Sequence, residues 1–124
     1  MTSVLNVDTI ADKAGTGPVG LTKQSAAKAF AKVTQDSTHT LNSDFNISSI
    51  VDGGPGETDL PFTSNMNDAN YAVSIGMYVS NNRRAIAETV STSQITVQTF
   101  QVSSNSSAAD ATNGVACTIM GDLA

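Results

Sequence analysis

Few residues in this chain have the chemistry to act on another molecule. His39 is its single histidine and stands in Ser37-Thr38-His39-Thr40, so hydroxyls flank the one side chain that titrates near neutral pH. A Ser-His-Asp site needs its serine in a constrained turn such as G-x-S-x-G, and the chain has no such motif. His39 is therefore expected as a surface residue of a polar linker. Cys117, the single cysteine, alternates with Val115 and Ile119 and reads as a core thiol. One thiol also excludes an intrachain disulfide and any multi-thiolate metal centre. Asp52, Glu57 and Asp59 surround the turn Asp52-Gly53-Gly54-Pro55-Gly56 and carry the oxygens a calcium ion takes. Their spacing fits no EF-hand loop; a bound ion and a solvated acidic turn both fit it, and the solvated turn is the expectation.

Two further patterns invite a function. Gly15-Thr16-Gly17-Pro18-Val19-Gly20 matches G-x-G-x-x-G ahead of a predicted helix. A dinucleotide fold requires more βαβ units after it, and the chain turns to alternating β patterns instead, so the glycines read as a connector and no cofactor is expected. Arg83-Arg84, beside Asn81-Asn82, stands at a predicted hairpin tip, where it offers contacts to an anion or an acidic sugar, or simply solubility. Asn46-Ile47-Ser48 and Asn105-Ser106-Ser107 match the glycosylation sequon, which is uninformative without a secretory signal.

The elements that must carry these residues are written in the composition. The 124 residues include 15 Ser, 15 Thr and 10 Asn, but only 6 aromatics and no Trp. Hydroxyl and amide side chains disfavour helix interiors and suit turns and exposed strand faces. A monomer so poor in aromatics has a thin core. The net charge of -5 argues against a nucleic-acid partner, and no apolar run is long enough to insert in a membrane. Met1-Thr2-Ser3-Val4 lacks the basic and apolar regions of a signal peptide, so none is expected.

Charge divides the chain at one place. Residues 1–35 hold all four lysines and carry a net +2; residues 36–124 carry a net -7. We read 1–35 as an attachment and trimerisation segment and 36–124 as an antiparallel β domain. In the first, Val4 to Ile10 is a short strand with Leu5 and Val7 on one face. Thr22 caps a predicted helix over Lys23 to Val33, whose Ala26, Ala29, Phe30 and Val33 share a side suited to packing between subunits. In the second, Asp44 to Val51 places Phe45, Ile47 and Val51 on one face. Thr58 to Thr63 points Leu60 and Phe62 inward, with Pro61 at an edge or strand end. Tyr71 to Val79 is the clearest strand, and Asn81-Asn82 turns it into Arg84 to Val90, with Ile86 and Val90 in phase. The apolar phase flips between Val97 and Phe100, which a bulge or burial of both faces explains. Val115 to Met120 is the last strand. The expected fold class is mainly β: a short N-terminal strand and helix, then a small antiparallel β-sandwich or jelly-roll-like domain.

The run Leu5-Asn6-Val7-Asp8-Thr9-Ile10-Ala11-Asp12-Lys13-Ala14-Gly15-Thr16-Gly17-Pro18-Val19, continued by Leu21 to Ala29, resembles a segment of fibre and other structural proteins of tailed bacteriophages, particularly those of marine bacteria. Asp44 to Ile50, Met66 to Val73, Ile95 to Val97 with Phe100, and Asp110 with Val115 to Gly121 resemble the β-rich tip of such fibres. Long shaft repeats are absent. The resemblance implies a homotrimeric, non-enzymatic virion protein, a short tail fibre or knob made in the host cytoplasm. Its trimer and anchor contacts would come from Leu5, Val7, Ile10, Ala26, Phe30 and Val33. Its partners would be other virion proteins of tail or capsid, and a host-surface glycan reached by exposed loops such as Asn81, Asn82, Arg83 and Arg84 or Ser103 to Asn113. The alternative is a capsid decoration protein that stabilises the shell.

Overall fold

Alternation of inward and outward side chains governs the chain from Ala29 onward. The computed structural model describes residues 27–78, 82–103 and 107–124. Eight strands follow one another: β1 (Ala29–Thr34), β2 (Thr40–Phe45), β3 (Val51–Gly54), β4 (Glu57–Pro61), β5 (Ala72–Met77), β6 (Arg83–Val90), β7 (Gln94–Gln101) and β8 (Val115–Met120). They form two antiparallel four-stranded sheets, ordered β2-β1-β8-β5 and β3-β4-β7-β6. One apolar core draws on both. Ala29, Ala31, Val33, Val115, Cys117 and Ile119 come from the first sheet, and Leu60, Ile95 and Val97 from the second. No helix is present among the described residues.

From Ala29 to Val33 the strand β1 stands where a helix was expected over Lys23 to Val33; Lys23 to Ala26 lie outside the described residues. Ala29, Ala31 and Val33 are buried, while Phe30, between them, is exposed. That is a two-residue period, and in this alanine-rich stretch it also passes for one face of a helix. Pairing with β2 on one side and β8 on the other decides the matter by satisfying the backbone in a ladder. Residues from 29 to 34, read as part of the attachment segment, are thus an inner strand of the β domain. Leu5, Val7, Ile10 and Ala26 lie outside the described residues.

Other strands follow the sequence more closely. Leu60 and Phe62 are buried, and Pro61 ends β4. Tyr71, Val73, Ile75 and Met77 all pack on the core. Burial of consecutive Ile95, Thr96 and Val97 accounts for the lost alternation in β7, and the bulge lies across from it, between Ala87 and Thr89 of β6. The face expected for Phe45, Ile47 and Val51 is not formed. Asn46 adopts φ 59° and turns the chain, so that Ile47 bridges to Phe62 in the core while Phe45 and Val51 point to solvent. The hairpin expected at Asn81-Asn82 is also absent. The strands β5 and β6 belong to different sheets, pairing with β8 and β7, and the chain crosses between sheets there. Ile86 and Val90 are exposed, and Ala85 and Ala87 face the core instead.

The registers give the fold two distinct ends. Ala27, the 46–50 and 62–71 connections, Ser91 to Ser93 and the C-terminal residues gather at one. The connections 35–39 and 54–56, residues 102–103 and 107–114, Tyr78 and Arg83 gather at the other. The six residues of β1 separate them by about 20 Å.

Candidate functional site

At the end remote from Ala27 lies a pocket of about 220 Å³ lined by Asp36, Ser37, His39, Asp52, Gly54, Pro55 and Asp110. Three connections build it: the turn after β1 brings Asp36 to His39, the β3–β4 hairpin brings Asp52 to Pro55, and the segment before β8 brings Asp110. His39 is not the surface residue expected of a polar linker. Its side chain is 1% exposed and forms the pocket floor. The reason lies beneath it, in a buried polar network that a Ser/Thr-rich sequence hides well.

Gln35 is the hub of that network. Its Nε2 donates to Gly56 O at 3.0 Å and to Thr58 Oγ1 at 3.0 Å. Its Oε1 accepts from Thr99 Oγ1 at 2.6 Å and from Ala111 N at 3.0 Å. All four hydrogen-bonding positions of the amide are filled, as full burial requires. Thr58 Oγ1, already accepting from Gln35, lies 2.8 Å from His39 Nδ1 and has its own proton free to donate to the ring. The neutral imidazole then carries its hydrogen on Nε2. That atom faces Asp110 Oδ1 at 3.5 Å and Asp52 Oδ1 at 3.6 Å. Each carboxylate is fixed in turn: Asp110 Oδ1 accepts from Gly56 N at 2.6 Å and Asp52 Oδ1 from Gly54 N at 2.9 Å.

A hydroxyl, an imidazole and a carboxylate in line would suggest an activated nucleophile. The order in space is against it: the hydroxyl belongs to Thr58, which is fully buried on the core side of the ring, and the carboxylates stand at the open side. A molecule in the pocket meets Ser37 and the oxygens of Asp52 and Asp110, not the Thr58 hydroxyl. The hydrogen bonds beneath hold its three connections together.

The acidic turn is divided by the strand pleat. Asp52 joins the pocket, while Asp59 points out from β4 and accepts from the Thr96 hydroxyl, and Glu57 lies over Gly53. Among the described residues no group of three or more His, Cys, Asp or Glu side chains is arranged to hold a metal ion. Cys117 sits in the core as expected, and burial pushes its thiol from 9.0 to about 11, only partly offset by a backbone hydrogen bond at Ala31.

No known protein family, curated protein or solved structure matches the chain. Of the loop residues expected to meet a receptor, Asn82 takes φ 57° and Arg84 lies over the Phe100 ring at 5.2 Å. Arg83 turns inward, its Nε donating to Asp110 O at 3.3 Å, so it braces the pocket. Asn81 lies outside the described residues. Of the expected subunit contacts, Val33 is spent in the domain's own core, whereas Phe30 remains exposed and stacks on Phe45 with ring centroids 6.1 Å apart. Asp110 belongs to the Ser103 to Asn113 stretch expected as an exposed loop, and it lines the pocket. Sequence reasoning missed Gln35, Thr58 and Thr99; the one signal that could have raised them is that all three are polar residues falling on inward phases of strands or just past a strand end.

Proposed function

We propose that this chain is a non-enzymatic virion structural protein of a tailed bacteriophage, a short trimeric fibre or knob. In this reading residues 1–35 serve as the anchor, with β1 also built into the domain, and the β domain faces outward to attach to the host surface. The observation that carries the reading is the polarity of the domain. The chain enters it from residues 1–26 at one end, and the pocket, Asn82 and Arg83 lie at the other. An anchor at the first end presents the second to whatever the particle meets. The resemblance of the opening residues to phage fibre segments supports the same assignment. So does the pocket, whose exposed carboxylates suit the hydroxyls of a glycan and whose only aligned hydroxyl is buried away from it. Weak single sites of this kind gain strength when several tips act together.

The deciding experiment is to locate the protein in an electron-microscopy reconstruction of the particle and to test whether the purified protein competes with particles for adsorption to host cells. Density at the tail together with competition is expected. Density on the shell without competition would replace this reading with that of a capsid decoration protein.

A further inference from the structure

The two sheets close on each other along one side and stay open along the other. On the closed side β5 and β6 approach each other, and Val73, Ile75, Met77, Ala85 and Ala87 pack on the core. On the open side lie β2 and β3, as the contact of Asp52 with His39 and the pairing of residues 46–48 with 61–63 show. Of these two strands only Leu41 packs on the core. Asp44 stands opposite buried Ala31 and so faces the core side, yet it is exposed. The stacked pair Phe30 and Phe45 is 39% and 52% exposed on the outer face. Lys32, two residues along from Phe30, turns away over the Tyr78 ring at 4.3 Å. Among the described residues this edge of the first sheet is thus bare on both faces.

The two open strands differ as templates. An edge strand offers a row of backbone N–H and C=O groups to a chain that lies beside it, and short, irregular edges withhold them. The strand β3 is of the withheld kind: four residues, two of them Gly53 and Gly54, with a register shift between Asp52 and Gly54. The strand β2 has six residues and neither proline nor lysine. Its register shift falls toward the pocket end, opposite Lys32 and Val33, so Ser43, Asp44 and Phe45 run regularly. Asp44 guards this stretch against a second copy, because two β2 strands paired edge to edge about it would set their carboxylates face to face. An added strand must instead bring uncharged residues to Asp44 and apolar ones to Phe45.

A segment of that kind precedes the domain at the same end. Residues 1–26 lie outside the described residues, and the chain enters at Ala27, three residues before Phe30, which pairs with Phe45. The one alternating run among residues 1–26 is Val4-Leu5-Asn6-Val7-Asp8-Thr9-Ile10, uncharged from Val4 to Val7 and apolar at four of its seven positions. A strand added beside β2 stands two strand spacings, about 10 Å, from β1. The 16 residues from Ala11 to Ala26 reach up to about 50 Å when extended, and the glycines from Gly15 to Gly20 let them turn back. We infer that residues 4–10 of the same chain pair with the free edge of β2 along Ser43 to Phe45, extend the first sheet to five strands and cover Phe45. The pairing belongs to the free protein and is independent of its place in a particle.

Hydrogen exchange of the full chain, read by mass spectrometry on peptides covering 4–10 and 40–45, tests the pairing. The wild type is expected to protect both well beyond the rate of an unstructured chain. Protection should hold across about a hundredfold dilution, because a segment of the same chain is not diluted with the protein. Val7→Pro removes a ladder donor from the added strand and is expected to speed exchange about tenfold or more in both peptides, with the pocket connections unchanged. Phe45→Ser is expected to release residues 4–10 in turn, with an unchanged circular dichroism spectrum, since Phe45 lies outside the core. Residues 4–10 exchanging at the unstructured rate in the wild type overturn the pairing. So does a Val7→Pro chain whose 40–45 peptide is unaffected, or a Phe45→Ser chain that keeps 4–10 fully protected. Protection lost on dilution overturns the assignment to the same chain and makes a second copy the occupant.

Discussion

Replacing Gln35 by methionine should cost the domain roughly 3–5 kcal/mol, although the two side chains are of similar length and neither is charged. The figure follows from what each partner keeps. Gly56 O still accepts from Thr99 N, Thr58 Oγ1 still faces His39 Nδ1, and Thr99 Oγ1 still reaches Ala109 O. These three lose a bond without being orphaned, at about 0.5–1.5 kcal/mol each. Ala111 N, in a fully buried residue, loses the partner it has in Gln35 Oε1, and an unmet buried donor costs about 1–3 kcal/mol. Methionine recovers part of the sum by burying apolar surface. Urea unfolding followed by circular dichroism, at one protein concentration and neutral pH, measures the loss, and the denaturant slope should not change. Gln35→Glu sharpens the test. It keeps an acceptor for Thr99 and Ala111 but sets a second acceptor against Gly56 O, so its loss at neutral pH should exceed that of methionine. The excess should shrink on acidification, as the buried carboxyl takes up a proton and becomes a donor. A Gln35→Met protein within about 1 kcal/mol of wild type would refute the claim that this amide holds the pocket end together.

Four other outcomes follow from the core and its turns. Leu60→Ala, at a fully buried position where the sheets meet, should lose about 2–5 kcal/mol in the same urea assay; a loss below about 1 kcal/mol would contradict its place in the core. Gly56→Ala should be poorly folded, since φ is +74° and a Cβ would stand 2.8 Å from Ala109 N and against Thr99 O. Gly76→Ala, with open space and no positive φ, should melt within a few degrees of wild type. Cys117 should react with a thiol reagent only on unfolding. Its folded pKa of about 11 lies above the ordinary 9.0, so the native state keeps the proton longer than the unfolded chain does. The stability this contributes is complete below pH 9 and is lost by about pH 11, an alkaline decline of about 2–3 kcal/mol that Cys117→Val should remove.

The sequence was most readable where one face is apolar and the other is not. Tyr71 to Met77 and Val115 to Met120 alternate cleanly, and their strands are as expected. Ala29 to Val33 was ambiguous because alanine is equally at home in a helix stripe and in a tightly packed strand, and only the ladder partners Leu41 to Phe45 and Val115 to Ile119 resolve it. Asn82 does take the φ of 57° that suits a turn residue, but a turn residue does not say whether the next strand returns to the same sheet. The pocket was the least legible feature. Its floor, His39, and its walls, Asp52 and Asp110, come from stretches far apart in sequence. Gln35 and Thr99 look like any other polar residue until their phase places them inward. A composition rich in hydroxyl and amide groups suggested a thin core; part of that polar content instead forms a second, hydrogen-bonded core at the end of the domain.

The pairing of β1 with β8 has a mechanical consequence. These two strands are where the chain enters the domain and where its last strand leaves it, and they run side by side in opposite directions. Pulling the two chain ends apart would open their hydrogen bonds one after another, as a zipper opens, and the domain would yield to a small load. A load between the Ala27 end and the pocket end instead runs along the strands, perpendicular to the ladder bonds, and strains them all at once. A domain tethered at one end and gripped at the other is thus stressed in the direction in which its sheets resist best.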